Sequence, residues 1–303
     1  MQNQTIKLKC GLIQSNLLSF TAHSLSYNMK KLICIALFLI SGKLAMTQEI
    51  GLELYSLRNQ FKTNVAGTLA LIKSWNIHEI EGGGTYGLPL NEYKDLLKKN
   101  DLKMIGIAAN FDSLALNPQA AVNEAKAFGA KYIVCFWISH NGDNFTIDDT
   151  KKAVDVFNKA GKLASENGLS FCYHTHGYEF RSYEQETLFD YIVQHTNPLY
   201  VNFEMDVFWV KQPGQDPVAL LKKYPTRFSL LHLKDRKPGT PNSQDGHADE
   251  ETNVVLGQGD VNIAGIMKEA KKIGIKHYFI EDESSRSVEQ IPQSLVYLSQ
   301  LKY

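Results

Sequence analysis

From residue 48 to the C-terminus the sequence alternates eight times between a short β-rich run and a longer amphipathic stretch. The β-rich runs fall at 50–56, 78–82, 103–110, 132–138, 170–176, 200–206, 228–235 and 277–282. Strict strand and helix alternation builds a parallel sheet with helices outside. Eight such units close a (β/α)8 TIM barrel, and the 256 residues of 48–303 match the roughly 250 that this barrel needs. Helical spacing marks the connections, as in Val122, Ala125 and Phe128, or Ala153, Val156, Phe157, Ala160 and Leu163. Further helices are expected at 65–75, 90–99, 184–194, 217–224, 262–272 and 288–301, with Asn167-Gly168 and Ile273-Gly274 as stop signals. One stretch breaks the rhythm: 236–260, rich in Pro, Gly, Asp and Asn, is long for a βα connection. Following the seventh strand, it should lie over the catalytic face as a lid or substrate loop.

The segment ahead of the barrel has a different character. Residues 29–47 place two lysines, an apolar run of about nine residues (32–40) and a small or polar zone in order, the pattern of a secretory signal peptide. The run is too short for a membrane span, which takes roughly 20 residues, so an exported, periplasmic protein with no stable span is expected. Met29 reads as the start, and 1–28 as upstream sequence translated in error. Residues 1–47 hold five lysines and no acid, leaving 27 basic against 32 acidic residues, a net −5, in 48–303. An acidic body without a Lys/Arg-rich stripe excludes nucleic acid as a partner. Cys135 and Cys172 sit inside apolar strand runs and read as buried thiols, not a disulfide framework.

In a (β/α)8 barrel, polar residues at the C-terminal strand ends converge on one mouth. Here strand five ends Tyr173-His174-Thr175-His176, strand six Glu204-Met205-Asp206, strand seven His232-Leu233-Lys234-Asp235, and strand eight Glu281-Asp282-Glu283. Side chains alternate faces along a strand, so His174 pairs with His176, Glu204 with Asp206 and His232 with Lys234. Imidazoles and carboxylates on neighbouring strand ends suit one divalent ion, Mn²⁺, Mg²⁺, Co²⁺ or Zn²⁺, without choosing between them. Substrate contacts are expected from Glu53, Tyr55, Glu81, Asn110, His140 and Trp209. Gly82-Gly83-Gly84 lacks the spacing of a phosphate loop and reads as a tight turn that lets substrate approach closely.

These motifs, with Gly51-Leu52-Glu53-Leu54-Tyr55-Ser56-Leu57-Arg58, Glu179-Phe180 and Gly257-Gln258-Gly259-Asp260, resemble the xylose isomerase-like TIM barrel family, the sugar phosphate isomerase and epimerase group. The resemblance runs through the whole of 48–303. It implies a metal set of His174, Asp206, His232 and Glu281, with His174 standing where many relatives have Glu and Glu179 as an alternative ligand. It also implies movement of a proton next to a sugar carbonyl. His176 is the first choice as base, Glu204 the second, and Lys234 would stabilise developing negative charge.

The expected activity is isomerisation or epimerisation of a keto sugar or keto-glycoside through an enediolate. Export argues for an unphosphorylated substrate, since sugar phosphates are cytosolic metabolites. A lyase or hydratase acting on a 3-keto-glycoside needs the same metal and base, and a non-catalytic carbohydrate-binding barrel is the third reading. A metal-dependent nuclease on the same barrel is opposed by the net charge.

Overall fold

The structure is a computed structural model that describes residues 49–302; the stretches read as an upstream extension and a signal peptide lie outside the described residues. Eight parallel strands close a barrel: β1 (Glu49–Glu53), β2 (Glu79–Gly82), β3 (Lys103–Ala108), β4 (Tyr132–Cys135), β5 (Ser170–His174), β6 (Val201–Asp206), β7 (Phe228–Leu233) and β8 (His277–Ile280). Each strand pairs in parallel with its sequence neighbours, and β1 closes on β8 through Glu49–Leu52 against His277–Ile280. No helix among the described residues is long and apolar enough to cross a membrane.

Local chemistry explains the helices around the barrel. Thr146 and Thr187 each open a helix (Ile147–Glu166 and Leu188–His195) with a capping box, their hydroxyls taking the N–H three residues on while Asp149 and Asp190 reach back. Gly129 and Gly274 end two others in the left-handed conformation. Three features depart from the sequence reading. Leu54–Leu57 turns as a 3-10 helix, so strand one stops at Glu53. The expected helix at 184–194 begins only at Leu188, because Ser182–Tyr183 and Glu186–Thr187 form a small hairpin whose turn holds Glu184 at φ +53°. Short helices also occupy Phe111–Leu116 and Val207–Lys211.

Two apolar layers hold the fold. Alternation sends one set of strand residues outward against the helices and the other, Ile105, Val134, Cys172, Leu230 and Phe279, into a separate buried cluster. That inner cluster plugs the barrel and becomes the floor beneath the mouth. Gly51 makes room for it: a Cβ there would lie 2.7 Å from the Phe279 ring. Burying a Phe side chain contributes about 1.5–3 kcal/mol. Cys135 and Cys172 are both free and buried, as the sequence implies.

Candidate active site

The strand ends place the site. At the end of β6, Asp206 caps the helix Val207–Lys211: its Oδ1 accepts from the N–H groups of Phe208 (2.7 Å) and Trp209 (3.1 Å). Capping fixes the carboxylate and leaves Oδ2 facing inward, 3.8 Å from His174 Nε2. The same helix brings the Trp209 ring onto His176, stacked at 4.5 Å and 19°. After β5 the chain turns through Gly177 at φ +97°, a conformation that favours glycine. The turn lets His176 N–H donate to Glu179 Oε1 at 2.8 Å.

At the centre lie His174 and His232, ring centroids 4.6 Å apart. Each imidazole is held by a carboxylate on a neighbouring or facing strand. His174 Nδ1 meets Glu204 Oε2 at 2.9 Å. His232 Nδ1 meets Glu281 Oε2 at 3.1 Å and its Nε2 meets Glu81 Oε2 at 2.7 Å. Lys234, buried beside them, donates to Glu283 Oε1 at 2.6 Å and Glu281 Oε2 at 3.4 Å. Glu81 needs Gly106 on β3, where a Cβ would fall 2.2 Å from Glu81 Oε1.

Three buried carboxylate oxygens in this cluster, Glu81 Oε1, Glu204 Oε1 and Asp206 Oδ2, accept no hydrogen bond. Buried anionic oxygens without donors are costly, and a cation answers that cost. Ligand atoms of His174, Asp206 and His232 lie within 4.8 Å of one another, as do those of Glu81, Glu204 and His232. The donor set therefore fits a divalent ion.

Burial and mutual charge shape the protonation of the cluster. Burial pushes the Asp206 carboxyl up to about 7 and raises Glu204, beside Glu81, well above the carboxylate range. Burial also opposes charge on Glu281, but Lys234 and His232 outweigh it and hold Glu281 well below its ordinary value. His232 moves upward because Glu204, Glu281 and Glu81 overcome burial, while His174 moves down under burial and the His232 charge. His176 is drawn down to about 3 by burial and by Lys234, so its ring is neutral at physiological pH.

A cavity of about 560 Å³ opens over the cluster. Of the expected residues, Glu53, Tyr55, His174, His176, Trp209 and Glu281 line it. Asp206 and His232 lie in the cluster but not on the lining, and Glu204 and Lys234 are likewise 0% and 1% exposed behind the wall. Glu81 is fully buried as the partner of His232. Two expected substrate contacts are placed elsewhere. Asn110 caps the helix Phe111–Leu116 through Ser113 N–H, and His140 stacks on Trp137 at 5.0 Å, away from the lining. Glu179, the alternative ligand, is turned to the His176 backbone and, like Glu281, which pairs with His232 and Lys234, belongs to neither metal-competent group.

Other lining residues escaped the sequence reading: Arg58, Tyr86, Phe136 and Glu283. Glu283 was within reach, two residues beyond Glu281 and so on the same face. Tyr86 sits at φ +53° in an irregular turn that leaves no periodic signal. The loop 236–260 does reach the cavity, contributing Gly246, His247, Ala248 and Glu250.

A closed (β/α)8 barrel with a buried His and carboxylate cluster at its C-terminal mouth defines a class. Residues 69–301 match the family described as xylose isomerase-like TIM barrel, and the chain belongs to that family. Among curated proteins it is similar to inosose dehydratase 1 of Bacillus cereus, 37% identical over 94 residues, 30% of each chain. The match thus spans under a third of that relative. Among solved structures, a sugar phosphate isomerase/epimerase from Parabacteroides distasonis ATCC 8503 is 26% identical with TM-score 0.70, over 84% of this chain and all (100%) of that one. The IolI protein, solved with a binding zinc atom, shares the fold at 15% identity and TM-score 0.66, over 84% of this chain and 97% of that one.

Proposed function

We propose that the protein is a divalent metal-dependent enzyme that removes the proton next to the carbonyl of an unphosphorylated cyclic keto sugar or keto-glycoside. The β-substituent of that sugar then departs, which makes the enzyme a lyase or dehydratase. The observation that carries the reading is the buried His174, Asp206 and His232 group, with the donorless Asp206 Oδ2, under an open cavity. His174, Asp206, His232 and Glu281 would hold the ion, and Glu204 and Glu81 would orient the two imidazoles from behind. Such an ion, when bound, supplies Lewis-acid polarisation of the carbonyl.

The residues of the chain do the rest. His176 presents a neutral ring at the wall of the cavity, fixed by the Trp209 stack. It is the proposed acceptor of the α-proton. Four glutamates line the cavity against one arginine, and Arg58 is already paired with Glu250. A phosphate would meet that field unfavourably, which supports an uncharged substrate. The signal-peptide pattern supports export and agrees with this.

Elimination is favoured over isomerisation by the inosose dehydratase relatives. Isomerisation or epimerisation is the second reading, supported by the isomerase/epimerase at 26% identity. The test is α-proton exchange in D₂O, followed by NMR with a 3-keto-glucoside, beside metal content by elemental mass spectrometry. Exchange by the wild type, with metal and exchange both lost in His232→Ala, is expected. Exchange that persists without metal would overturn the reading.

A further inference from the structure

An elimination needs an acid as well as a base, because the departing oxygen must take a proton. The four glutamates on the cavity lining are not equivalent. Glu281 is paired with His232 and Lys234, Glu283 with Lys234, and Glu250 with Arg58. Among the described residues Glu53 forms no ion pair. Its cross-strand neighbour on β2 is another carboxylate, Glu81. A buried carboxyl facing like charge and lacking a cation is held in its neutral, proton-bearing form.

The surroundings orient that proton. Glu53 is 7% exposed at the end of β1, and its Oε2 accepts the Leu54 N–H at 2.5 Å. Oε2 therefore serves as the carbonyl oxygen, and Oε1, without a partner among the described residues, carries the hydrogen toward the cavity. Gly82 at φ +145° keeps the space beside it clear, since a Cβ there would lie 3.3 Å from Oε2. In the closed strand order β1 stands four places from β5 in either direction. Glu53 and His176 thus belong to opposite walls of the mouth.

Resting on the proposed lyase reading, we infer that Glu53 is the general acid that protonates the leaving group, on the face of the substrate opposite His176. The α-C–H bond breaks and its proton goes to the His176 imidazole. The C=C bond forms, and the C–O bond to the β-substituent breaks with its electron pair on oxygen. The Glu53 proton neutralises that oxygen, so an alcohol or water departs; solvent then removes the His176 proton and restores that of Glu53. Burial first and Glu81 second raise the Glu53 carboxyl well above its ordinary range, with the Leu54 N–H and His232 pulling the other way. The arrangement predicts anti elimination.

The experiment compares methyl and 4-nitrophenyl 3-keto-α-glucosides, in which H2 and the C1 leaving group are anti, with wild type, Glu53→Gln and Glu53→Asp, following product release and α-proton exchange in D₂O. The methoxide leaving group needs a proton and 4-nitrophenolate does not. In Glu53→Gln, elimination of methanol is expected to fall about 10²–10⁴-fold. Release of 4-nitrophenolate should change less than about tenfold, with α-exchange retained and Glu53→Asp partly restored. Equal losses on both glucosides, or none, would overturn the assignment of Glu53 while leaving the lyase reading intact. If Glu53→Gln does not fold, Glu53→Asp must show the same leaving-group bias, and its absence overturns the assignment. No exchange or elimination by the wild type overturns the lyase reading, and this assignment with it.

Discussion

Gly106→Ala is a one-carbon change on β3 that should be felt at the site. The added Cβ would fall 2.2 Å from Glu81 Oε1, 3.1 Å from its Cδ and 3.2 Å from its Cγ. A glutamate at the surface would swing away at little cost, but Glu81 is 0% exposed and its other oxygen holds His232 Nε2 at 2.7 Å. Overpacking costs about 1–3 kcal/mol, and losing a hydrogen bond to a charged group about 1.5–3 kcal/mol. Against this stands the gain of about 0.5–1 kcal/mol from replacing glycine in a strand. The net expectation is a loss of about 1.5–5.5 kcal/mol, which for a domain of this size lowers Tm by about 3–22 °C. The assay is a double-mutant cycle with Glu81→Ala, read by urea unfolding. Once the Glu81 side chain is gone, Gly106→Ala should be slightly stabilising, leaving a coupling of about 2.5–6 kcal/mol. Additivity within about 0.5 kcal/mol would refute the claim that Gly106 exists to seat Glu81.

Two further outcomes follow from the geometry. Burial opposes charge on Asp190, but Lys223 (2.8 Å), Tyr224 (2.6 Å) and Thr187 outweigh it and hold its carboxyl below the usual range. A depressed folded value means stability that is complete above about pH 4, the unfolded value of Asp, and lost as pH falls through the folded one. Thermal melts from pH 6 to about 3 should therefore show a shallower acid loss for Asp190→Asn than for the wild type. Gly259→Ala should loosen the 236–260 loop, because the new Cβ would meet Asp235 Oδ1 at 2.0 Å and the Arg236 carbonyl at 2.5 Å. Limited proteolysis within 236–260 should speed up, and an unchanged cleavage rate would count against Asp235, whose carboxylate accepts the Gly257, Gly259 and Val261 N–H groups, as the anchor.

The periodic parts of this protein were the readable parts. Eight strands announce themselves because both faces of a parallel strand are buried, and runs such as Phe228–Leu233 must be apolar almost throughout. The cluster was readable for a related reason: ligand-type residues at strand ends have one direction to point. What sequence could not supply is which polar group faces substrate and which stands behind it. Glu204 and His174 sit side by side across β5 and β6, yet only His174 lines the cavity. A bulge between Phe203 and Glu204 shifts the β6 register against β7, and alternation alone does not foresee it. Asn110 and His140 lie away from the cavity lining, one engaged in a helix cap and the other in a ring stack.

The departure at His174 changes the chemistry proposed for the mouth. Where relatives carry Glu at this position, the resemblance implies three carboxylates and one imidazole around the ion. Here the proposed set is Asp206, Glu281, His174 and His232, one negative charge fewer. The carboxyl group has moved one step back, to Glu204, which meets His174 Nδ1 at 2.9 Å. A carboxylate behind an imidazole fixes its tautomer and makes it a better donor. Two nitrogens and two oxygens would suit a divalent ion without singling one out. With less negative charge around it, such an ion would draw more density from a substrate carbonyl. The α-proton would then become more acidic, as a weakly basic imidazole such as His176, drawn down to about 3, requires of its substrate.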